Sequence, residues 1–180
     1  MSQNPLTLLS RPLKDNPEEQ QQYLIFNLHG EAFAVGILNV REIIEYHQLT
    51  EVPLMPDTVR GVINLRGAVV PVIDLSACFW KRRTEPGKRT CIVIVELDES
   101  AKQRVMGIVV DAVNKVVEIP RAEIEPPPTF GARIRTDFIA GMGKLDDRFV
   151  IILNVGRALS IDQLASAIDH LSALTEEAMA

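Results

Sequence analysis

The sequence predicts an all-β chain: two similar small barrels of about five strands each, packed side by side, with a C-terminal helix. Three observations lead there. Runs rich in Val, Ile and Leu recur from 23 to 155, separated by turns holding Gly, Asp or Pro. Their order repeats: strand, strand, Pro-containing connector and hairpin occur once in each half, and Gly61–Leu75 lies against Gly141–Val155 without a gap. After 160 the pattern changes to a capping-box form, S-I-D-Q, followed by Ile161, Leu164, Ile168 and Leu171 at helical spacing. A barrel closes its own edges, which suits a chain with so many strands.

Residues 1–20 are polar and carry Pro5, Pro12 and Pro17, the composition of a loose arm. Tyr23–Leu28 is the first strand; His29-Gly30-Glu31 turns the chain and Ala32–Leu38 returns it. The segment from Val40 fits an extended stretch with a short helical end. Leu49–Pro56 holds two prolines, so it reads as a connector. Val59–Leu65 and Ala68–Leu75 form a hairpin around Arg66-Gly67, and Pro71 implies an edge position or a bulge. K-R-R-T-E-P-G-K-R at 81–89 is basic and reads as a linker between halves. Cys91–Leu97, Arg104–Val110 and Asp111–Ile119 are strands, Pro120–Pro128 a second connector, and Phe138–Leu145 with Arg148–Val155 a hairpin turning at Asp146-Asp147. The expected division is lobe 1 over about 21–80 and lobe 2 over about 90–158 within one domain at 21–160, then a helix and tail at 160–180. The repeat also sets Phe33-Ala34-Val35-Gly36-Ile37 beside Arg104-Val105-Met106-Gly107-Ile108.

The chain has 180 residues, 47% hydrophobic and 24% charged, enough for a real core. A net charge of −5 argues against a general nucleic-acid binder, which needs a basic face. No apolar run approaches the length that spans a bilayer, and the N-terminus lacks the pattern of a secretory leader. Two cysteines, Cys78 and Cys91, make no framework of bridges, which fits free thiols in a reducing cytoplasm. His29, His47 and His170 stand apart with no ligand-spaced partners, so no metal is expected. No nucleophile elbow and no phosphate-cradling glycine loop is present, and aromatic residues at 5% are too sparse for a base-stacking platform. Asp74 ends a strand, where Asp commonly caps a turn, and Asp111 has no partner carboxylate. The reading is a protein without catalysis or cofactor.

V-R-E-I at 40–43, V-P-L-M-P at 52–56 and above all R-G-V-I-N-L-R-G-A-V-V-P-V-I-D-L at 60–75 resemble the CheW family of chemotaxis coupling proteins. G-I-V-V-D-A-V at 107–113 and F-V-I-I-L-N-V at 149–155 are similar to the family too, so the resemblance spans about 20–160. It implies two SH3-like lobes and an adaptor bridging chemoreceptor cytoplasmic tips to the regulatory domain of a CheA-type histidine kinase. It implies a cytoplasmic protein recruited to membrane-bound receptor arrays. Matched by position, receptor contact would fall to Arg66 and Glu42, with Gly61 and Asn64 shaping the turn, and kinase contact to Ile37 and Val40. Residues of these two types are more often core than interface, because Ile and Val are among the most buried. Ser76 stands where many relatives place Arg, a departure from the family pattern. Two alternatives remain open: an adaptor of a non-flagellar receptor–kinase pathway serving pili or gene expression, and a small-ligand-binding β-barrel protein.

Overall fold

The computed structural model describes residues 20–99, 102–127 and 136–159. The arm at 1–19 and the expected helix from Ser160 lie outside them. In chain order the elements are β1 (Gln20–Leu28), β2 (Glu31–Gly36), β3 (Val40–Glu45), β4 (Val59–Leu65), β5 (Ala68–Asp74) and α1 (Leu75–Trp80). Then come β6 (Cys91–Glu99), β7 (Lys102–Val110), β8 (Ala112–Pro120), β9 (Ile124–Glu125), β10 (Ile139–Leu145), β11 (Arg148–Leu153) and α2 (Val155–Ala158). Between β2 and β3 a 3-10 turn spans Ile37–Asn39, so the helical piece expected at the end of the Val40 segment precedes it.

The strands form two SH3-like β lobes. One sheet has the order β8-β1-β2-β11-β10-β9, the other β3-β6-β7-β5-β4. This corrects the contiguous lobes expected at 21–80 and 90–158. Each half of the chain lends its leading hairpin to the lobe built by the other half. β1 runs antiparallel to β8 from Gln20↔Pro120 to Asn27↔Ala112, while β6 pairs with β3 from the first half. Strand pairing, which satisfies backbone donors and acceptors wherever partners lie, overrides nearness in sequence.

The 81–89 stretch therefore joins two elements of one lobe and is no interlobe linker. It forms a strap held by Asp74, which is fully buried at the end of β5. Asp74 Oδ2 accepts the Thr84 backbone N–H at 2.8 Å, and Oδ1 accepts Thr84 Oγ1 at 3.1 Å and the Ala77 N–H at 3.3 Å as the cap of α1. Arg60 Nη1 lies 3.4 Å from Asp74 Oδ2 and donates to the Thr84 carbonyl at 2.9 Å; Nη2 donates to the Tyr46 hydroxyl at 3.0 Å.

The internal repeat is visible in detail. Val59↔Ile73 and Gly61↔Val72 flank a register shift, as do Ile139↔Leu153 and Gly141↔Ile152. Asn154 caps α2 through the Arg157 N–H as Asp74 caps α1 through Ala77. The strand alignment needs one correction. β5 and β11 each gain a parallel neighbour, with Val72 opposite Gly107 and Ile152 opposite Ala34. Gly107 thus corresponds to Ala34, two residues from the Gly36 that sequence similarity selects. A slip of two keeps the same face inward, so hydrophobic pattern alone does not detect it.

Continuous apolar runs arise because many strands are covered on both faces. Along β1, Tyr23 and Ile25 enter one lobe's interior with Ala34, Ile119, Val150 and Ile152, while Leu24, Phe26 and Leu28 face the shared core between lobes. Along β6, Ile92 and Ile94 fill the other lobe beside Ile63 and Val72, and Val93 and Val95 return to the shared core. Each fully buried Leu, Ile or Phe stabilises by roughly 1.5–3 kcal/mol. Helix α1 adds Phe79 and Trp80, whose rings lie 6.4 and 6.0 Å from that of Phe33, and Phe79 stacks at 5.9 Å on Phe138. Pro71 sits in the interior strand β5, yet parallel pairing to β7 is registered only from Val72 onward, so its missing donor leaves no gap.

Candidate functional site

The hairpin β4–β5 ends one sheet and β3 ends the same sheet on the other side, so the lobe closes along a seam between them. Thr50 and Val62 exchange backbone bonds of 3.0 and 2.9 Å across it. At the hairpin tip Arg66 and Gly67 both have left-handed φ, +52° and +86°. Two such residues make the tight turn whose twist suits antiparallel strands. Asn64 Oδ1 accepts the Gly67 N–H at 2.8 Å and holds the turn.

From that turn Arg66 Nη2 reaches Glu42 Oε2 at 3.1 Å. The structure brings together two residues that sequence places 24 apart, and it sets them across the seam. The Arg66 side chain is 74% exposed and the Glu42 side chain 23%. Glu42 Oε1 is buried without a protein partner. The guanidinium thus has donors facing solvent while one face grips a half-buried carboxylate.

Gly61 belongs elsewhere. Its φ of +146° is unfavourable for side chains, and a Cβ there would run into the Thr50 carbonyl. It permits the seam bridge and has no part in the turn, which corrects the role expected for it. Ile37 and Val40 are half-buried and packed against the shared core. Between them Leu38 is 87% exposed. Sequence reasoning missed Leu38 because strand alternation was carried through a 3-10 turn that rotates it outward. Leu54, at φ +63°, is also fully exposed. Glu42 and Arg66 form one constellation; Ile37, Leu38 and Val40 are the apolar residues of a short segment just ahead of Glu42 on the chain, interrupted by Asn39.

Among the described residues no group of three His, Cys, Asp or Glu side chains could hold a metal ion, and no helix is long and apolar enough to cross a membrane. Cys78 is half-buried, and burial, with a smaller contribution from the Asp74 carboxylate, pushes its thiol up to about 12. A thiol held protonated is a poor nucleophile.

The CheW-like domain family matches residues 22–163. The chain is 36% identical over 145 residues to the chemotaxis protein CheW of Klebsiella aerogenes, covering 81% of this chain and 85% of that protein. It is 32% identical over 149 residues to CheW of Helicobacter pylori, covering 83% and 87%. Protein FrzA of Myxococcus xanthus is 31% identical over 121 residues, covering 67% and 73%. The scaffolding protein TtCheW from Thermoanaerobacter tengcongensis superposes with a TM-score of 0.72 at 31% identity, over 85% of this chain and 96% of that one.

Proposed function

The chain belongs to the CheW-like domain family of chemotaxis scaffolds, and we propose that it is a non-enzymatic, cytoplasmic adaptor coupling chemoreceptor tips to a CheA-type kinase regulatory domain. The observation that carries this reading is the asymmetry of the two hairpins. Both lobes build the same hairpin with the same bulge. Only one turn displays an Arg, paired to Glu42, whereas its counterpart holds Asp146-Asp147 at φ +47° and +64°. The fold needs the turn; it does not need the Arg. Arg66 offers a planar fork of donors suited to carboxylates or carbonyls on a helical receptor tip. Ile37, Leu38 and Val40 supply the apolar surface for the kinase domain.

A pulldown of the full chain with a receptor signalling tip and a CheA regulatory domain tests this. We expect both to bind, Arg66→Glu to lose the receptor alone, and Leu38→Asp to lose the kinase alone. Binding to neither partner would sink the adaptor reading. A second reading keeps the same adaptor chemistry in a non-flagellar receptor–kinase pathway. A deletion strain with intact chemotaxis despite kinase binding would favour it.

A further inference from the structure

The cleft beside α1 contains none of the residues named above for receptor or kinase contact. It is lined by His29 from the β1–β2 turn, Ser76 at the start of α1, and Lys81, Arg82 and Arg83 from the strap, with a volume of about 880 Å³. We propose that this cleft binds a phosphorylated small molecule through its phosphoryl group.

Charge is the first reason. The stretch 81–89 carries five cations against the one carboxylate of Glu85, in a chain of net charge −5. Lys81, Arg82 and Arg83 make no ion pair among the described residues. Arg60 is paired with Asp74, while the Asp111 carboxylate, whose Oδ2 accepts the His29 backbone N–H at 2.8 Å, keeps its negative charge in the cleft. Lys81, Arg82 and Arg83 thus stand against two carboxylates, Glu85 and Asp111, and the cleft keeps a net excess of one positive charge.

The second reason is an orphan. Ser76 is 2% exposed, and its Oγ is buried without a hydrogen-bond partner. Leaving such a hydroxyl unmatched is unfavourable unless something outside the protein fills it. Ser76 lines the cleft, so rotation about its χ1 presents the hydroxyl to a slim anionic group bound there, whereas the broad surface of a macromolecule does not enter so far.

The third is pre-organisation. The strap leaves α1 at Lys81, whose φ of +55° turns the chain. Thr84 ties it to Asp74, and Gly87 donates to Thr90 Oγ1 at 2.7 Å. The cations are thus displayed on an anchored segment. Arg forks and a hydroxyl suit a phosphoryl dianion, which accepts several charge-assisted bonds at once. The cleft is roomier than one phosphate requires and falls within the usual range of about 300–1,000 Å³ for small-molecule sites.

Trp80 is the chain's single tryptophan and stacks at 5.0 Å on His29, so its fluorescence reports on the cleft. The full chain is titrated with inorganic phosphate, pyrophosphate and ATP at constant ionic strength, and binding is checked by calorimetry. We expect a saturable change; ATP tighter than pyrophosphate assigns the ligand to an organic phosphate, and equal affinity assigns the free anion. The Arg82→Ala/Arg83→Ala variant should weaken binding about tenfold or more. Ser76→Ala should weaken it several-fold, at about the level of one lost hydrogen bond, without lowering the melting temperature. A response no different from sodium chloride at equal ionic strength, or unchanged affinity in the double variant, overturns the proposal.

Discussion

Replacing Asp74 by Ala should be the most damaging single change near the hairpin, and its size follows from its partners. The carboxylate is fully buried and accepts from Thr84 twice, from Ala77 once and from Arg60. Its removal uncaps α1, frees the strap and leaves the Arg60 side chain, 10% exposed, without its counter-ion. Breaking one side of a buried ion pair costs about 3–5 kcal/mol. For a chain of this size each kcal/mol shifts the melting temperature by roughly 2–4 °C, so the fall should be about 6–20 °C. Asp74→Asn should fall between, since Asn154 shows that Asn can cap the equivalent helix but cannot neutralise an Arg. Arg60→Met combined with Asp74→Asn should be milder than the sum of the two single changes, because neither charge is left stranded. Thermal unfolding by circular dichroism measures the loss. Limited trypsinolysis reads the strap, whose Lys81, Arg82, Arg83, Lys88 and Arg89 should be cut faster in Asp74→Ala. A melting temperature lowered by less than about 2 °C, with unchanged cleavage, would show that the network does not hold this part of the fold.

Exchanging the charges, Glu42→Arg with Arg66→Glu, should keep the seam pair and leave stability within about 1 kcal/mol in urea, since the Arg66 partner is 74% exposed and the charge at 42 stays paired. Receptor coupling should stay lost; recovery would show that the pair matters only as a seam closure. Gly61→Ala should destabilise by about 2 kcal/mol or more, read as a lowered urea midpoint, because its φ is +146° and the Thr50 carbonyl occupies the space; a neutral result would refute the seam geometry. Cys78 ionises in the folded chain only near about 12 against 9.0 for the free group, so between those values the unfolded chain releases a proton that the folded chain keeps. The stabilisation is fully present below pH 9 and is lost as pH rises toward 12. Cys78→Ala should therefore lose less stability than the parent as pH rises from 9 toward about 12, and an identical slope would contradict the burial of the thiol.

The all-β class, the hairpin at 59–75, its counterpart at 139–153 and the repeat between them were legible because each is written in local terms. Apolar runs, a Gly at the register shift and an Asp or Asn after a strand act on neighbours in sequence, and the two hairpins repeat them position for position. The family motifs at 40–43 and 60–75 placed Glu42, Asn64 and Arg66 in a candidate site for the same reason. What pairs with what was decided only in three dimensions. The exchange of leading hairpins, the β7 partner of β5 and the tie from Asp74 to Thr84 join residues whose separation along the chain carries no periodic signal. Strand edges take whichever partner satisfies their backbone groups while burying both faces, and that choice belongs to the whole fold. Charge follows the same division. A basic run at 81–89 reads as a solvated linker by composition; a buried carboxylate ten residues away makes it an ordered wall of a cleft.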